Sequence, residues 1–235
     1  MSTEQYHINV SDIRVDVIKK DIKNIHLAVY PPTGRVRLSS PKSMKTESLR
    51  LFVISKLGWI KKRIRDMHTQ IREQEREYIQ GESHYVQGKR YLMNVIERDG
   101  PPRVVIRNKK YMDLYVRPGS DKAKREEVVK EWYRYLLKEQ IPALIEKWGQ
   151  SLDVTINDWG VRQMKTKWGS CNIKEKRIWL NLELGKKPKH CLDYVVLHEM
   201  LHLKERHHND RFKALLDQHM PGWKKRREEL NEVVY

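Results

Sequence analysis

The chain of 235 residues is 39% hydrophobic and 34% charged, with a formal net charge of +17, which is typical of a globular but polar protein with one large or two small cores. Two cysteines are too few for a disulfide scaffold and fit a reducing compartment. No run of about 18 apolar residues occurs and the first residues lack a signal-peptide pattern, so we expect a cytoplasmic protein with no membrane partner.

Strand patterns flank one helical pattern in the first 118 residues. Apolar and polar residues alternate over 12–40, which predicts a short meander of three strands, with PPTG at 31–34 between the second and the third. Residues 84–117 return to strand character, and DGPP at 99–102 marks a turn. Between them, apolar residues at steps of three and four predict one long amphipathic helix. Its apolar stripe is Leu49, Val53, Leu57, Ile60, Ile64, Met67 and Ile71.

The remaining residues combine helices with short strands. A second amphipathic helix is predicted from about Asp121 to Trp148, and Pro142 is expected to bend or break it. Its predicted buried face is Val128, Trp132, Leu136, Ile141, Leu144 and Ile145. Short strands are expected around VTINDW, RQMKTKWGSC and RIWLNLEL, with NIKEK as a hairpin turn. From Pro188 onward the pattern is helical to the end.

These elements predict an α+β fold in two parts. Residues 1–118 form a β-rich region with one long amphipathic helix, and residues 119–235 form a second, helix-rich domain with a small sheet. The boundary is expected near RPGSD at 117–121, where strand patterns give way to helical ones. No internal repeat and no low-complexity linker is visible in the sequence.

A metal-binding pattern lies in the last helical segment, in HEMLHLKERHHNDRF at 198–212. His198 and His202 are four residues apart, so on a helix they project from one face and can reach a single zinc ion at about 2.0–2.1 Å. Glu199 lies about 100° around the helix, where it can stand beside a metal-bound water without ligating the metal. This is the H-E-x-x-H arrangement of zinc peptidases, in which the carboxylate acts as general base and later passes the proton to the leaving amine.

The third protein ligand is not decided by the spacing. His207 and His208 are adjacent, so only one of them is expected to point at the metal, and a gap of five residues after the H-E-x-x-H motif selects His208. The same gap occurs in metzincins, but the glycine that those enzymes place three residues after the second histidine is Glu205 here. A glutamate from a later helix, Glu228 or Glu229, is the alternative.

Two motifs occur in this chain at a separation that a known family shares. The segment at 198–212 has the pattern H-E-x-x-H-x5-H-x3-F, with Phe212 in the last position, and the segment at 162–171 has the pattern R-x-M-K-x-x-W-G-S-C. The residues that match the second pattern are Arg162, Met164, Lys165, Trp168, Gly169, Ser170 and Cys171. Together the two motifs resemble the YgjP-like family, which is related to the WLM and SprT-like metallopeptidases.

The resemblance implies that residues 119–235 form a zincin-like catalytic domain with one zinc ion, in which the small sheet packs on the H-E-x-x-H helix. It implies His208 as the third ligand and Glu199 as the general base, which leaves His207 outside the metal shell. The WGSC segment would then be an edge strand of the cleft and bind an extended polypeptide substrate by strand addition. The predicted substrate-binding residues are Trp168, Gly169, Ser170 and Cys171.

Two other functions stay open. The net charge and the lysines around the WGSC segment would suit a metal-dependent nucleotide or phosphoanhydride hydrolase, although the sequence has no glycine-rich phosphate loop. A basic nucleic-acid-associated module with a structural zinc would need a fourth protein ligand, such as His207 or Cys171. The +17 charge would suit nucleic acid as a partner, and it is also what a simply solvated basic surface would give.

Overall fold

The computed structural model describes residues 4–30, 33–69 and 76–232, with the side chains of 66–69 outside that description. It divides into two compact units, Met1–Arg72 and Glu73–Tyr235. The change from strand to helical patterns predicts the boundary between the two parts later in the chain, near 117–121. The difference arises because the strands before residue 117 share one hydrophobic core with the helices that follow it.

The first unit contains a four-stranded sheet with the order β1-β2-β4-β3. Its strands are β1 (Gln5–Val10), β2 (Ile13–Lys20), β3 (His26–Tyr30) and β4 (Arg35–Pro41). β1 pairs antiparallel with β2, and β3 with β4, whereas β2 and β4 are parallel. The predicted meander is therefore wrong in its order, because β4 lies between β2 and β3. Alternation of apolar residues marks a strand and its buried face but does not encode which strand is its neighbour.

Two helices, α1 (Thr46–Ser55) and α2 (Leu57–Thr69), cover the segment predicted as one long helix. Lys56 interrupts them, with φ of −108° and ψ of 3°, and its N–H donates to the carbonyl three residues before it. Most of the predicted stripe still packs into the core of this unit, through Leu49, Val53, Leu57, Ile60 and Ile64. Met67 is described by its backbone only, and Ile71 lies outside the described residues.

The second unit begins with a sheet of the same topology as the first. Its strands are β5 (Ser83–Val86), β6 (Lys89–Glu97), β7 (Arg103–Arg107) and β8 (Tyr111–Val116). Their order is β5-β6-β8-β7, again with antiparallel outer pairs and a parallel central pair. The strand character predicted for 84–117 is confirmed. The two sheets share their strand order, although the sequence shows no repeated residue pattern.

A 31-residue helix, α3 (Lys122–Leu152), follows this sheet. Asp121 caps its N-terminus by accepting a hydrogen bond from the Lys124 N–H. The helix continues through Pro142, so a break at that residue is not found. Of the residues predicted to be buried, only Ile141 is fully buried. The helix packs against several elements at once, and the residues that it buries form a stripe next to the predicted one. The residues of that stripe are Val129, Tyr133, Leu137, Ile141, Trp148 and Leu152.

The small sheet has the strand order β10-β11-β9. Its strands are β9 (Asp158–Arg162), β10 (Gly169–Asn172) and β11 (Arg177–Asn181). β10 and β11 are antiparallel and are joined by the predicted hairpin turn, whereas β9 and β11 are parallel. Within the described part of the chain β10 pairs with β11 alone, so it is an edge strand. A 3-10 helix, Leu182–Gly185, leads from this sheet to the last helices.

Three helices complete the second unit: α4 (Lys189–Leu201), α5 (Asp210–His219) and α6 (Trp223–Asn231). α4 is buried on almost all sides, because it contacts α3, α5, α6, β10 and β11. Over its described residues the chain thus combines helices with three small sheets, and the predicted α+β class is confirmed. Over the described ranges, no helix is both long enough and apolar enough to cross a membrane.

Candidate active site

Three histidine side chains converge at the C-terminal end of α4. His198 and His202 are one turn apart there, and His208 comes from the loop that leads into α5. The Nε2 atom of His208 lies 3.0 Å from Nε2 of His198 and 3.1 Å from Nε2 of His202. A zinc ion bound tetrahedrally at about 2.0–2.1 Å separates its ligand nitrogens by about 3.3 Å. The three imidazoles therefore suit one zinc ion.

Hydrogen bonding and burial keep these imidazoles in the form that binds a metal. His202 Nδ1 lies 3.2 Å from the backbone oxygen of Glu205, and His198 Nδ1 makes a longer contact of 3.5 Å with the Tyr194 hydroxyl. The carbonyl oxygen can only accept, so His202 donates from Nδ1–H and keeps the Nε2 lone pair for a metal. Burial lowers the pKa of all three histidines, that of His198 to about 3, so the rings are neutral near physiological pH.

Phe212 packs against all three histidine rings. The distances between its ring centroid and those of His198, His202 and His208 are 5.0, 5.0 and 4.8 Å. Asn209 is the N-cap of α5, and its Oδ1 accepts a hydrogen bond from the Phe212 N–H at 3.0 Å. This cap therefore fixes where α5 begins, which is between His208 and Phe212.

Glu199 projects from α4 toward the edge strand β10. Its side chain is buried, and it lies so close to Gly169 that a Cβ added there would be 2.7 Å from both Cγ and Oε1 of Glu199. Burial raises the pKa of Glu199 to about 7, and the positive charge of Lys167 opposes that rise. A carboxyl group with this pKa can accept and release a proton near neutral pH.

A cleft of about 1360 Å³ connects β10 with the three histidines. All four residues predicted to bind substrate line it: Trp168, Gly169, Ser170 and Cys171. His198, Glu199, His202 and His208 line it as well. The fold thus brings the WGSC end of the first motif into one cavity with the histidines and Glu199 of the second, whereas Arg162, Met164 and Lys165 are not among the lining residues.

His207 and Cys171 do not join the three histidines. The His207 side chain is exposed and lies outside the cluster of converging ring nitrogens. Cys171 lies near Glu199, and burial raises the pKa of its thiol to about 11, which keeps it protonated. In the part of the chain that the structure describes, no fourth metal-ligand side chain converges with the three histidines.

The two alternative glutamates also lie elsewhere. Glu229 pairs with His190 in the first turn of α4, which is about two turns before His198. Glu228 is exposed and does not line the cleft. Neither carboxylate is therefore among the groups that surround the three histidines.

Three further residues of the site do not follow from the motifs. Asn181 is buried and holds the segment before β10, because its Nδ2 donates to the carbonyls of Met164 and Lys167 at 3.0 and 2.7 Å. Tyr194 lies one helical turn before His198 on α4, and this spacing would have predicted that its side chain lies on the same face as the histidine. Arg227 lines the cleft from α6, and no local pattern connects it with the motifs.

The comparison with protein families gives the class of this protein. A family model described as YgjP-like, metallopeptidase domain, matches residues 23–233. The crystal structure of the metallopeptidase zymogen abylysin from Pyrococcus abyssi is similar, with 20% identity, 38% of this chain and 88% of that chain covered, and a TM-score of 0.35. The corresponding zymogen of jannalysin from Methanocaldococcus jannaschii has 26% identity, coverage of 38% and 84%, and a TM-score of 0.33. No curated protein matches the chain.

Proposed function

The chain belongs to the YgjP-like metallopeptidase family, and we propose that it is a zinc peptidase with Glu199 as its general base. One zinc ion would be held by His198, His202 and His208. The observation that carries the proposal is the convergence of three neutral imidazoles beside a buried carboxylate, in a cleft with an edge strand along its wall. The substrate class is polypeptide.

The set of protein ligands favours a catalytic metal over a structural one. Structural zinc sites are closed by four protein ligands, whereas catalytic sites have three and leave one position for water or substrate. Only three side chains of the described residues converge here. When bound, the zinc ion supplies Lewis-acid polarisation of a water molecule and of the scissile carbonyl.

Glu199 has the position and the environment of a general base. It follows His198 directly, so its carboxylate stands beside the metal position without being one of the three converging groups. Its burial excludes bulk water and makes it a stronger base than an exposed carboxylate. Glu199 accepts a proton from the attacking water and delivers it to the amine that leaves.

β10 provides a way to hold an extended peptide along the cleft. Its unpaired edge offers N–H and C=O groups for strand addition, and Gly169 lets backbone atoms approach Glu199 closely. Trp168 is held at the same wall, because its Nε1 donates to Asn231 Oδ1 at 3.1 Å. A peptide added to this strand would place one of its carbonyls near the metal position.

The Glu199→Gln variant tests this mechanism. The substitution preserves size and removes the base, so we expect zinc content to stay at one ion per chain while hydrolysis of an unstructured protein such as casein falls by about 10²–10⁴-fold. Zinc is measured by mass spectrometry of the purified proteins. Glu228→Gln is the matched control and should leave both quantities unchanged. Full activity in Glu199→Gln would contradict the assignment.

The other functions that the sequence left open have less support. A structural zinc lacks a fourth ligand among the described side chains, and the nucleic-acid proposal is carried by the net charge alone. A nucleotide hydrolase would need phosphate-binding groups, and the sequence has no glycine-rich phosphate loop.

A further inference from the structure

Except for Glu199, the charged side chains that line the cleft in the described part of the chain are all cationic. Five cationic residues line it, and they come from the segment before β10, the β10–β11 hairpin, the loop between α4 and α5, and α6. These residues are Lys167, Lys174, Lys204, Arg206 and Arg227. Among the described residues that line the cleft, the buried Glu199 is the only one with a carboxylate, so the lining has a net positive charge and a positive potential.

Several other basic residues of the second unit are paired with a carboxylate. Arg226 pairs with Asp193 at 3.0 Å, and Lys122 pairs with Glu77 at 2.7 Å. In the described ranges, by contrast, none of the five cleft cations has a carboxylate within 4.0 Å. Arg226 and Arg227 are neighbours on α6, yet Asp193 neutralises the charge of Arg226 whereas Arg227 lines the cleft. The charge on Arg227 is therefore available to a ligand.

Two of the five stand next to groups that hold substrate in the proposed mechanism. Lys167 directly precedes Trp168, the residue before the edge strand. Arg227 is one helical turn before Asn231, so both lie on one face of α6, and Asn231 bonds to the Trp168 ring. Lys167 and Arg227 thus approach the same stretch of the cleft from different walls.

We propose that the cleft selects acidic peptides, with Arg227 and Lys167 binding carboxylate side chains close to the scissile bond. This inference rests on the proposed peptidase function and gives that site its substrate class. Unlike charges across a cleft attract and orient a partner, and like charges exclude a competing one, so a lysine-rich peptide is disfavoured by the same groups. The edge strand favours a peptide over other anions, since it offers backbone groups rather than a phosphate-binding loop.

The test uses three quenched fluorescent peptides that share one frame and carry glutamate, glutamine or lysine on both sides of a central bond. The zinc-loaded full-length enzyme should cleave the glutamate peptide with the highest kcat/KM and the lysine peptide with the lowest. In Arg227→Gln, the ratio of kcat/KM for the glutamate over the glutamine peptide should fall about fivefold, the value of one exposed ion pair. In Arg227→Glu it should fall roughly 25-fold, because attraction becomes repulsion. About 1 M salt should reduce the wild-type preference.

Lys225→Gln is the matched control, since Lys225 is exposed on the same helix and does not line the cleft. It should keep the wild-type ratio. Binding provides a second readout that does not need turnover: fluorescence anisotropy of the same peptides on zinc-loaded Glu199→Gln, with and without Arg227→Gln. The glutamate peptide should bind most tightly, and the added Arg227→Gln should weaken it selectively.

The outcomes separate this inference from the proposed function. Cleavage of all three peptides at equal rates with equal binding would overturn the acidic preference and leave the peptidase standing. Selective binding of the glutamate peptide without cleavage of any peptide would support the cleft assignment and count against the peptidase. Displacement of the glutamate peptide by a nucleoside triphosphate at much lower concentration than by unlabelled peptide would overturn the peptide assignment.

Discussion

The contact between Gly169 and Glu199 joins the edge strand to the proposed general base. Glu199 is only 6% exposed, and the hydrogen atoms of Gly169 leave the space that its carboxylate occupies. Any larger side chain at this position must displace the carboxylate, the strand or both. At the scale of single residues, this glycine is required by close packing rather than by backbone conformation.

Gly169→Ala is expected to lower turnover by about 100-fold, since a displacement of about 1 Å of a reacting group costs that much. Steady-state kinetics give the effect and calorimetry of unfolding gives the fraction folded. Gly160→Ala is the control: a Cβ there would also clash, with the Trp179 ring, but on β9 rather than at the site. Both variants should lose stability, and only Gly169→Ala should lose activity in the folded protein. Equal activity losses would contradict the role given to Gly169.

Helical periodicity predicts only the part of the site that lies on α4 and at its C-terminal end. His198, Glu199 and His202 follow from the period of the α-helix, and the structure brings the first and third together with a third histidine. Asn181 and Arg227 could not be found this way, because they reach the cleft through the pairing of β11 and the packing of α6. Such contacts depend on tertiary structure, which local periodicity does not encode.

At the scale of elements, the site depends on where α5 begins. The loop after α4 carries His208, and the Asn209 cap starts α5 so that Phe212 packs on the histidine rings. The side-chain oxygen of the cap satisfies an N–H that the first turn leaves without a helical partner. The cap therefore couples helix formation to the geometry of the third histidine.

Asn209→Ala should destabilise the protein by about 1 kcal/mol, the usual cost of losing a side-chain cap. It should also weaken zinc binding, because His208 is then held less firmly. Denaturant unfolding measures the first effect, and competition with a chelator measures the second. Asn209→Ser, which retains a capping oxygen, should stay close to wild type in both. Wild-type zinc affinity in Asn209→Ala would contradict the coupling.

The sequence predicts individual strands and helices better than it predicts how the strands pair. The strands in 84–117 and the hairpin at 172–176 follow from alternation and turn residues, and the structure has them. The parallel pairs β2–β4 and β6–β8 could not be predicted, because alternation carries no information about a neighbour. The interruption at Lys56 also lacks a signal, since the apolar stripe continues across it.

At the scale of the whole molecule, the buried apolar residues of the described part of the chain form two hydrophobic cores. One contains buried residues from Val10 to Ile60, and the other contains buried residues from Tyr78 to Leu230. Every residue of the proposed site belongs to the second unit. The sequence predicts a boundary near 117–121 because strand patterns give way to helical ones there, whereas the sheet before that point and α3 after it bury their apolar faces against each other.

A fragment of residues 73–235 is therefore expected to fold cooperatively and to bind one zinc ion without residues 1–72. Each core is complete within its own unit, so removal of the first unit leaves the second core intact. Circular dichroism during thermal unfolding and zinc mass spectrometry measure the two properties, with the full-length chain as reference. A fragment that lacks a cooperative transition would contradict the division.

The coordination shell of the metal tests the central claim most directly. Zinc K-edge X-ray absorption on the purified, zinc-loaded protein should show three imidazole nitrogens and one oxygen not supplied by the protein, all at about 2.0–2.1 Å. His208→Ala should reduce the imidazole count to two. A sulfur ligand at about 2.3 Å, or a shell completed by a fourth imidazole, would contradict a catalytic site built from His198, His202 and His208.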